Sequence, residues 1–262
     1  MIERVGIVSI ASVAILYRKT NPGEVFLDIK TPGYPLTAFV GMICPIGGNW
    51  IGDQAQADLN PLATWRREFE EEFTITTKVA SLAETRLLGD DPKEEFYTTP
   101  RNLIIPSRTD LIDFTLLKHN LPLRAEPFGD FLVTVPKSVL DRNAPENRRP
   151  GYTALHPYWL VEVFEDEWRA LVALHQKFGN LSCESQSVIT SLPQIIAEGQ
   201  LTCCGHDVVM REFFQQMGCA NAEGYPMLEG ITFEHRGMPL DSYDKYRAEY
   251  DITRTPFFNE NK

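Results

Sequence analysis

The sequence lacks the cysteine spacing that builds zinc fingers or disulfide frameworks. Its five cysteines are an odd number, and no two of them form a C-x-x-C pair; they are Cys44, Cys183, Cys203, Cys204 and Cys219. Disulfides are rare in reducing compartments. We therefore interpret the cysteines as reduced core thiols of a cytoplasmic protein rather than as a zinc site.

Positive charge is also scarce, because 25 Lys and Arg residues stand against 36 Asp and Glu residues. The net charge of −11 argues against a nucleic acid as the main partner. The apolar run at residues 5–16 is too short to span a bilayer. Its Val and Ile content favours a buried strand at residues 5–18 over a signal-peptide core, and we expect no membrane partner.

Helix signals are concentrated at residues 60–73. Asn60 suits an N-cap and Pro61 suits the first helical position, where the missing N–H is no loss. Apolar side chains then recur at three- and four-residue spacing, which predicts one buried stripe. The members of that stripe are Leu62, Trp65, Phe69 and Phe73.

Three glutamates, Glu68, Glu71 and Glu72, fall together beside this stripe on a helical wheel, while Glu70 points to the other side. Arg67 stands four residues before Glu71, close enough to pair with it. Like charges on one face repel, and carboxylates are hard ligands that suit Mg²⁺ or Mn²⁺. A solvated acidic face on an unrelated α/β protein is the alternative interpretation.

The segment before the helix contains Gly47 and Gly48 after an apolar run, which we interpret as a strand that enters a glycine turn. With this segment in view, residues 47–75 resemble the Nudix box. The second half of that box has Arg-Glu, an apolar residue, any residue and Glu-Glu, which residues 67–72 match. Thr74 stands where the box has Gly, and Gly52-Asp53 stands where Gly-Glu is usual.

The resemblance implies a metal-dependent hydrolase of a diphosphate linkage in a nucleoside diphosphate joined to another group. It implies that Glu68 and Glu71 are catalytic, that Arg67 orients them, and that Glu68, Glu71 and Glu72 bind Mg²⁺ or Mn²⁺. Gly47 and Gly48 would let the backbone turn near the phosphates. A Nudix-fold nucleotide-binding or regulatory protein without catalysis is the alternative, favoured by the altered residues of the box.

Several other residues are weaker candidates. His206 could act as a base, although a histidine at a helix start is more often held by a cap. A further metal ligand could come from Glu126, Asp130 or Glu146, and a base could stack on an aromatic side chain. The candidates for stacking are Trp50, Tyr152, Tyr158 and Trp159.

The order of elements predicts an α/β protein with a mixed sheet. The resemblance implies a Nudix-like α/β/α sandwich over residues 1–218, and a composition change marks 219–262 as a C-terminal extension. We expect strands at 24–30, 39–46, 79–88, 102–106, 111–118, 131–135 and 158–164, and helices at 165–178, 186–197 and 205–217. The expected partner is a small nucleoside diphosphate derivative, and a second copy of the chain is a further candidate.

Overall fold

The computed structural model describes residues 6–7, 9–50, 58–75, 104–144 and 150–252. Over these residues the fold is α/β, with a mixed eight-stranded sheet and a separate two-stranded sheet formed by β1 and β10. The strands are β1 Gly6–Ile7, β2 Ser9–Arg18, β3 Asn21–Ile29, β4 Ile43–Cys44, β5 Ile46–Asn49, β6 Glu126–Val135, β7 Tyr152–Val163, β8 Gln186–Ser191, β9 Thr232–His235 and β10 Asp251–Ile252.

Seven α-helices occur among the described residues, and none of them is long and apolar enough to cross a bilayer. They are α1 Pro61–Glu72, α2 Arg108–Asn120, α3 Lys137–Asn143, α4 Glu165–Phe178, α5 Leu192–Glu198, α6 His206–Gln216 and α7 Tyr243–Glu249.

The central strand β2 is buried on both faces. Successive side chains of a strand point to opposite faces. Val13 and Ile15 pack in a core that includes Phe213 of α6, while Ala14 and Leu16 pack in a second core with α1 and α4. Two hydrophobic cores on opposite sides explain why β2, which pairs in parallel with β7, reads as a continuous apolar run.

The hairpin of β2 and β3 opens away from its turn, and residues 43–49 lie in the gap. β4 pairs with β3 through Ile43 and Cys44, and β5 pairs with β2 through 46–49. Pro45 separates the two short strands and has no N–H to offer to a ladder. The expected single strand at 39–46 and the glycine turn after it are therefore wrong, because Gly47 and Gly48 lie within a paired strand.

The strand predicted at 111–118 is also wrong, because these residues belong to helix α2. Ser107 and Asp110 form a reciprocal capping box, in which the Ser107 Oγ accepts from the Asp110 N–H at 3.2 Å. The Asp110 carboxylate accepts from the Ser107 N–H at 2.6 Å. This cap satisfies two backbone donors at the helix start, and its Ser-x-x-Asp spacing is visible in the sequence.

The helix predicted at 186–197 is half wrong. Its first part is β8, which pairs antiparallel with β3, and only its second part is α5. The β-branched run Val188, Ile189 and Thr190 favours a strand, and Pro193 suits the first turn of the helix that follows.

Several of the remaining predicted elements are confirmed, including the strands predicted at 24–30 and 158–164, which correspond to β3 and the end of β7. Helix α4 has the expected bounds, β6 contains 131–135, and His206 begins α6 close to the expected position. The predicted strand at 79–88 lies outside the described residues. The strand predicted at 102–106 is wrong over its described part, because residues 104–106 are not in a strand.

The segment after Cys219 packs on the body of the protein. β9 pairs with β6 and extends the main sheet by one strand. Tyr243 and Tyr246 of α7 are buried against Ile10 of β2, and the Tyr243 hydroxyl lies 2.6 Å from that of Thr64 in α1. The core therefore continues through residues that the sequence marks as an extension.

The cap of α1 gives a first prediction. The Asn60 side chain accepts from the Ala63 N–H at 2.9 Å, so Asn60→Ala should lower the free energy of unfolding by about 1 kcal/mol. Asn60→Ser keeps a capping oxygen and should recover most of that loss. Urea unfolding of the two variants is the measurement, and equal losses would contradict the capping role.

Candidate functional site

Helix α1 is fixed against the glycine strand β5 by a side-chain hydrogen bond. The buried Trp65 Nε1 donates to the Ile46 carbonyl at 3.1 Å. A Cβ atom placed on Gly48 would lie 2.1 Å from Glu68 Oε2, which is far inside contact distance. The two halves of the sequence motif thus meet, with the backbone of Gly48 directly against the Glu68 carboxylate.

Arg67 holds the acidic groups around the helix. Its guanidinium lies 2.8 Å from a Glu68 oxygen and 3.2 Å from a Glu71 oxygen, which confirms the expected pairing with Glu71. It also donates to the buried Asp58 carboxylate at 2.9 Å and to the Asn49 carbonyl at 3.2 Å. A planar guanidinium with several fixed donors can orient all these partners together.

Glu72 points inward and has a strongly perturbed acidity. Its residue is only 7% exposed, and burial, followed by the nearby Asp28, raises the pKa of Glu72 to about 9. Burial also raises the pKa of Asp28 to about 6, and among the described residues Asp28 Oδ1 has no hydrogen-bond partner. The pKa of Glu68 is raised as well, again chiefly by burial. A cation would relieve this concentration of desolvated carboxylates.

Asp28 was missed at the level of sequence. It is 2% exposed, and it lies near the C-terminal end of β3. A single carboxylate after the apolar run 25–27 is a weak sequence signal for a metal ligand. Only the packing of α1 near β3 brings Asp28 close to Glu72. Asp28 is an additional carboxylate beside the motif, and Glu184, which lies outside the helices and strands, also interacts electrostatically with Glu68, Glu72 and Asp28.

Glu71 does not belong to the group of buried and partly buried carboxylates formed by Glu68, Glu72 and Asp28. Its side chain is 61% exposed, and both Glu71 and Glu68 contact Arg67. Within the described part of the chain, no three acidic side chains have ligand oxygens all within 4.8 Å of one another. Glu71 must therefore rotate before it can share an ion with Glu68 and Glu72.

The other weaker candidates have different surroundings. Asp130 is buried beside Tyr246, and burial raises the pKa of Asp130 to about 7. Glu126 is exposed at the start of β6, and Glu146 lies outside the described residues. Trp50 stacks on Tyr243 at 4.3 Å between ring centroids.

The remaining aromatic candidates are interior residues. Tyr158 is fully buried, and Trp159 donates from Nε1 to the Ser12 hydroxyl at 2.9 Å in the core. Tyr152 lines a pocket that opens beside Gly47 and Gly48.

The same pocket is lined by Lys30, Cys44, Cys204 and His206. Burial opposes the charge on His206, but the neighbouring Cys44 and Cys204 together outweigh burial and raise the pKa of the imidazole. A hydrogen bond with Cys203 lowers the pKa of the Cys44 thiol, against the effect of burial. His206 therefore has interior partners rather than a position at the mouth of the site.

The two glycines of β5 give a second prediction, because their missing Cβ atoms would meet different neighbours. On Gly47 a Cβ would lie 2.2 Å from the Ser12 carbonyl oxygen, whereas on Gly48 it would meet the movable end of Glu68. Gly47→Ala should therefore cost about 1–3 kcal/mol of stability. Gly48→Ala should cost less, and it should weaken Mn²⁺ binding by displacing Glu68.

Gly224→Ala is the matched control, because its Cβ would meet no atom closer than 3.6 Å. Urea unfolding and calorimetric titration with Mn²⁺ measure both effects. A folded Gly48→Ala protein with wild-type Mn²⁺ affinity would contradict the inferred contact between the glycine and a ligand.

The buried Glu72 gives a third prediction. Its pKa is raised from 4.5 to about 9, so the native state keeps a proton that the unfolded chain releases. Without metal, stability should therefore fall as pH rises through this interval, by up to about 1.4 kcal/mol per pH unit. Glu72→Gln should flatten the dependence between about pH 5 and pH 9, and the exposed Glu70→Gln should not. Urea midpoints across pH are the measurement, and identical slopes would count against a protonated Glu72.

The chain matches no protein-family model, and no curated protein matches it. Its own geometry is therefore the ground for a functional assignment.

Proposed function

We propose that this protein is a metal-dependent hydrolase of a diphosphate linkage in a nucleoside diphosphate joined to another group. The observation that carries the proposal is the contact of Gly48 with the Glu68 carboxylate, while Arg67 holds Glu68 and Glu71. A Nudix-like α/β/α sandwich is the matching fold proposal, and the cores on both sides of β2 support it.

The chemistry of the donor set suits a hard divalent cation, and the side chains would have to move closer together to share one. Glu68, Glu72 and Asp28 offer carboxylate oxygens, and the Asp28 Oδ1 atom has no hydrogen-bond partner in the described part of the protein. Their raised pKa values reflect burial, a cost that a divalent cation would offset by favouring the ionised forms. Bound Mg²⁺ or Mn²⁺ would screen the diphosphate charge and lower the pKa of a coordinated water.

Residues of the chain would supply the other functions that the reaction needs, which are ligand orientation, proton acceptance and positive charge. Arg67 fixes the directions of Glu68 and Glu71 through its hydrogen bonds, and Asp58 anchors Arg67 from behind. The exposed Glu71 carboxylate would accept a proton from the attacking water after its side chain rotates towards the metal. Lys30, which lines the pocket beside Gly47 and Gly48, supplies a positive charge for the diphosphate.

A binding or regulatory protein on the same fold is the second candidate. The outward position of Glu71 favours it, because a proton acceptor must reach the water it activates. Such a protein would bind the same class of nucleotide and the same metal without releasing a product.

The fourth prediction separates these functions from a merely acidic surface. Glu71→Gln should lower activity by about 10²- to 10⁴-fold, the usual contribution of a positioned proton acceptor. Glu70→Gln is the control, since Glu70 is exposed on the opposite side and should leave activity nearly intact. Product release from a panel of nucleoside diphosphate compounds with Mg²⁺ or Mn²⁺ is the measurement.

Thermal unfolding extends the same test. Added Mg²⁺ should raise the Tm of the wild type, because a ligand that binds the native state stabilises it. The rise should shrink in Glu71→Gln and persist in Glu70→Gln. Equal behaviour of the two variants in both assays would refute the hydrolase proposal, and metal-dependent stabilisation without turnover would favour the binding protein.

A further inference from the structure

Two distant stretches of chain are joined beside the pocket. The Ile43 N–H donates to the Leu201 carbonyl at 3.0 Å, and Ile43 forms a parallel bridge with Thr202. This contact places Cys44 of β4 beside Cys203, and the short turn 203–205 then leads into His206 at the start of α6. Neighbouring backbone bonds thus determine where the three side chains lie.

These three side chains form a group of soft metal ligands. One ligand atom from each of Cys44, Cys203 and His206 lies within 4.8 Å of the other two, and all three residues are buried. A tetrahedral Zn²⁺ with Zn–S bonds of about 2.3 Å separates its ligand atoms by nearly 4 Å. Small side-chain rotations would therefore close the group around an ion.

The imidazole is already oriented. His206 Nδ1 is hydrogen-bonded to the hydroxyl of Tyr158, which is fully buried. A tyrosine hydroxyl can accept from Nδ1–H, and this tautomer leaves the lone pair of Nε2 for a metal. Partners of this kind on the second ring nitrogen fix the orientation of metal-binding histidines.

The local charges suit a thiolate-bound dication. Two thiolates and a neutral imidazole neutralise Zn²⁺. Lys30 interacts electrostatically with Cys44 and Cys203, and its positive charge would oppose a further cation. The buried Cys204, whose sulfur lies 3.8 Å from the Tyr34 hydroxyl, lines the same pocket as Lys30.

The turn at Cys204 has an unusual backbone conformation. Cys204 has a φ of 57°, in the left-handed region that side chains other than Gly seldom adopt. This conformation lets the adjacent Cys203 and Cys204 both lie in the interior. Strained residues of this kind tend to occur at functional sites.

We propose that Cys44, Cys203 and His206 bind a Zn²⁺ ion whose fourth position faces the pocket lined by Cys204. Soft sulfur ligands select Zn²⁺ over Mg²⁺, whereas the carboxylates around α1 have the opposite preference. The proposal is independent of the diphosphate hydrolase, because it uses none of the α1 glutamates. Binding would release the thiol protons of Cys44 and Cys203 to solvent.

The full-length protein, expressed with zinc and purified without chelators, should contain close to one zinc ion per chain. Cys44→Ser and His206→Ala should each lose most of it. Cys183→Ser and Cys219→Ser are the controls and should keep it, because both cysteines lie outside the group. Substitution by Co²⁺ should give thiolate-to-cobalt charge-transfer absorption in the wild type but not in Cys44→Ser. Zinc-free wild type, or full zinc in Cys44→Ser, would overturn the proposal.

Alkylation of the wild-type thiols tests the site without any variant. Zn²⁺ should protect Cys44 and Cys203 from an alkylating reagent, as mapped by mass spectrometry, while Mg²⁺ should not. Cys183 should react equally in both conditions, since it is exposed. The labelling is done in urea close to the unfolding midpoint, where the buried Cys44 and Cys203 become transiently accessible. Equal labelling of Cys44 with and without Zn²⁺ under these conditions would overturn the assignment.

Discussion

The insertion of residues 43–49 between β2 and β3 is the constraint on which both candidate sites depend. This segment pairs with β3 at one end and with β2 at the other, so it cannot slide without breaking two ladders. Gly47 lies so close to the Ser12 backbone that no side chain fits. Trp65 ties the same segment to α1. Cys44 and Gly48 are therefore held on opposite parts of one rigid piece of backbone.

Lys30 connects the two sites electrostatically. It follows β3, and its charge interacts with Glu72 and Asp28 as well as with Cys44 and Cys203. Burial disfavours the ammonium, but these neighbours outweigh it and raise the pKa of Lys30. A cation bound among the carboxylates would weaken the hold of those carboxylates on Lys30. The ammonium would then be freer to pair with thiolates or with a diphosphate.

The features that could be read from the sequence are local ones. Helix α1 follows from Asn60, Pro61 and an apolar stripe within a dozen residues, and all these signals agree. Residues 111–118 were misread because their β-branched and aromatic content competes with the Ser107 cap, which in fact decides the structure. Residues 186–191 show the opposite case, in which pairing with β3 overrides a helical interpretation.

The candidate metal ligands also fall into two kinds, those whose proximity follows from sequence spacing and those that only the fold brings together. Glu68 and Glu71 share one helix, so their common contact with Arg67 follows from spacing alone. Asp28 reaches Glu72, and Cys44 reaches Cys203, only because segments far apart in sequence become neighbours in the fold. A single sequence carries no spacing rule for such pairs.

The segment after Cys219 shows how far this non-local dependence extends. Tyr243 contacts the Thr64 hydroxyl at 2.6 Å, and Thr64 donates to the Asp58 carboxylate at 3.1 Å. Asp58 in turn accepts a hydrogen bond from the Arg67 guanidinium, which also pairs with Glu68. Buried polar networks of this kind orient their members collectively, since each lost partner leaves another group unsatisfied. The direction of the Glu68 carboxylate is therefore linked through hydrogen bonds to α7, and a segment that the sequence presents as an extension takes part in supporting the candidate site.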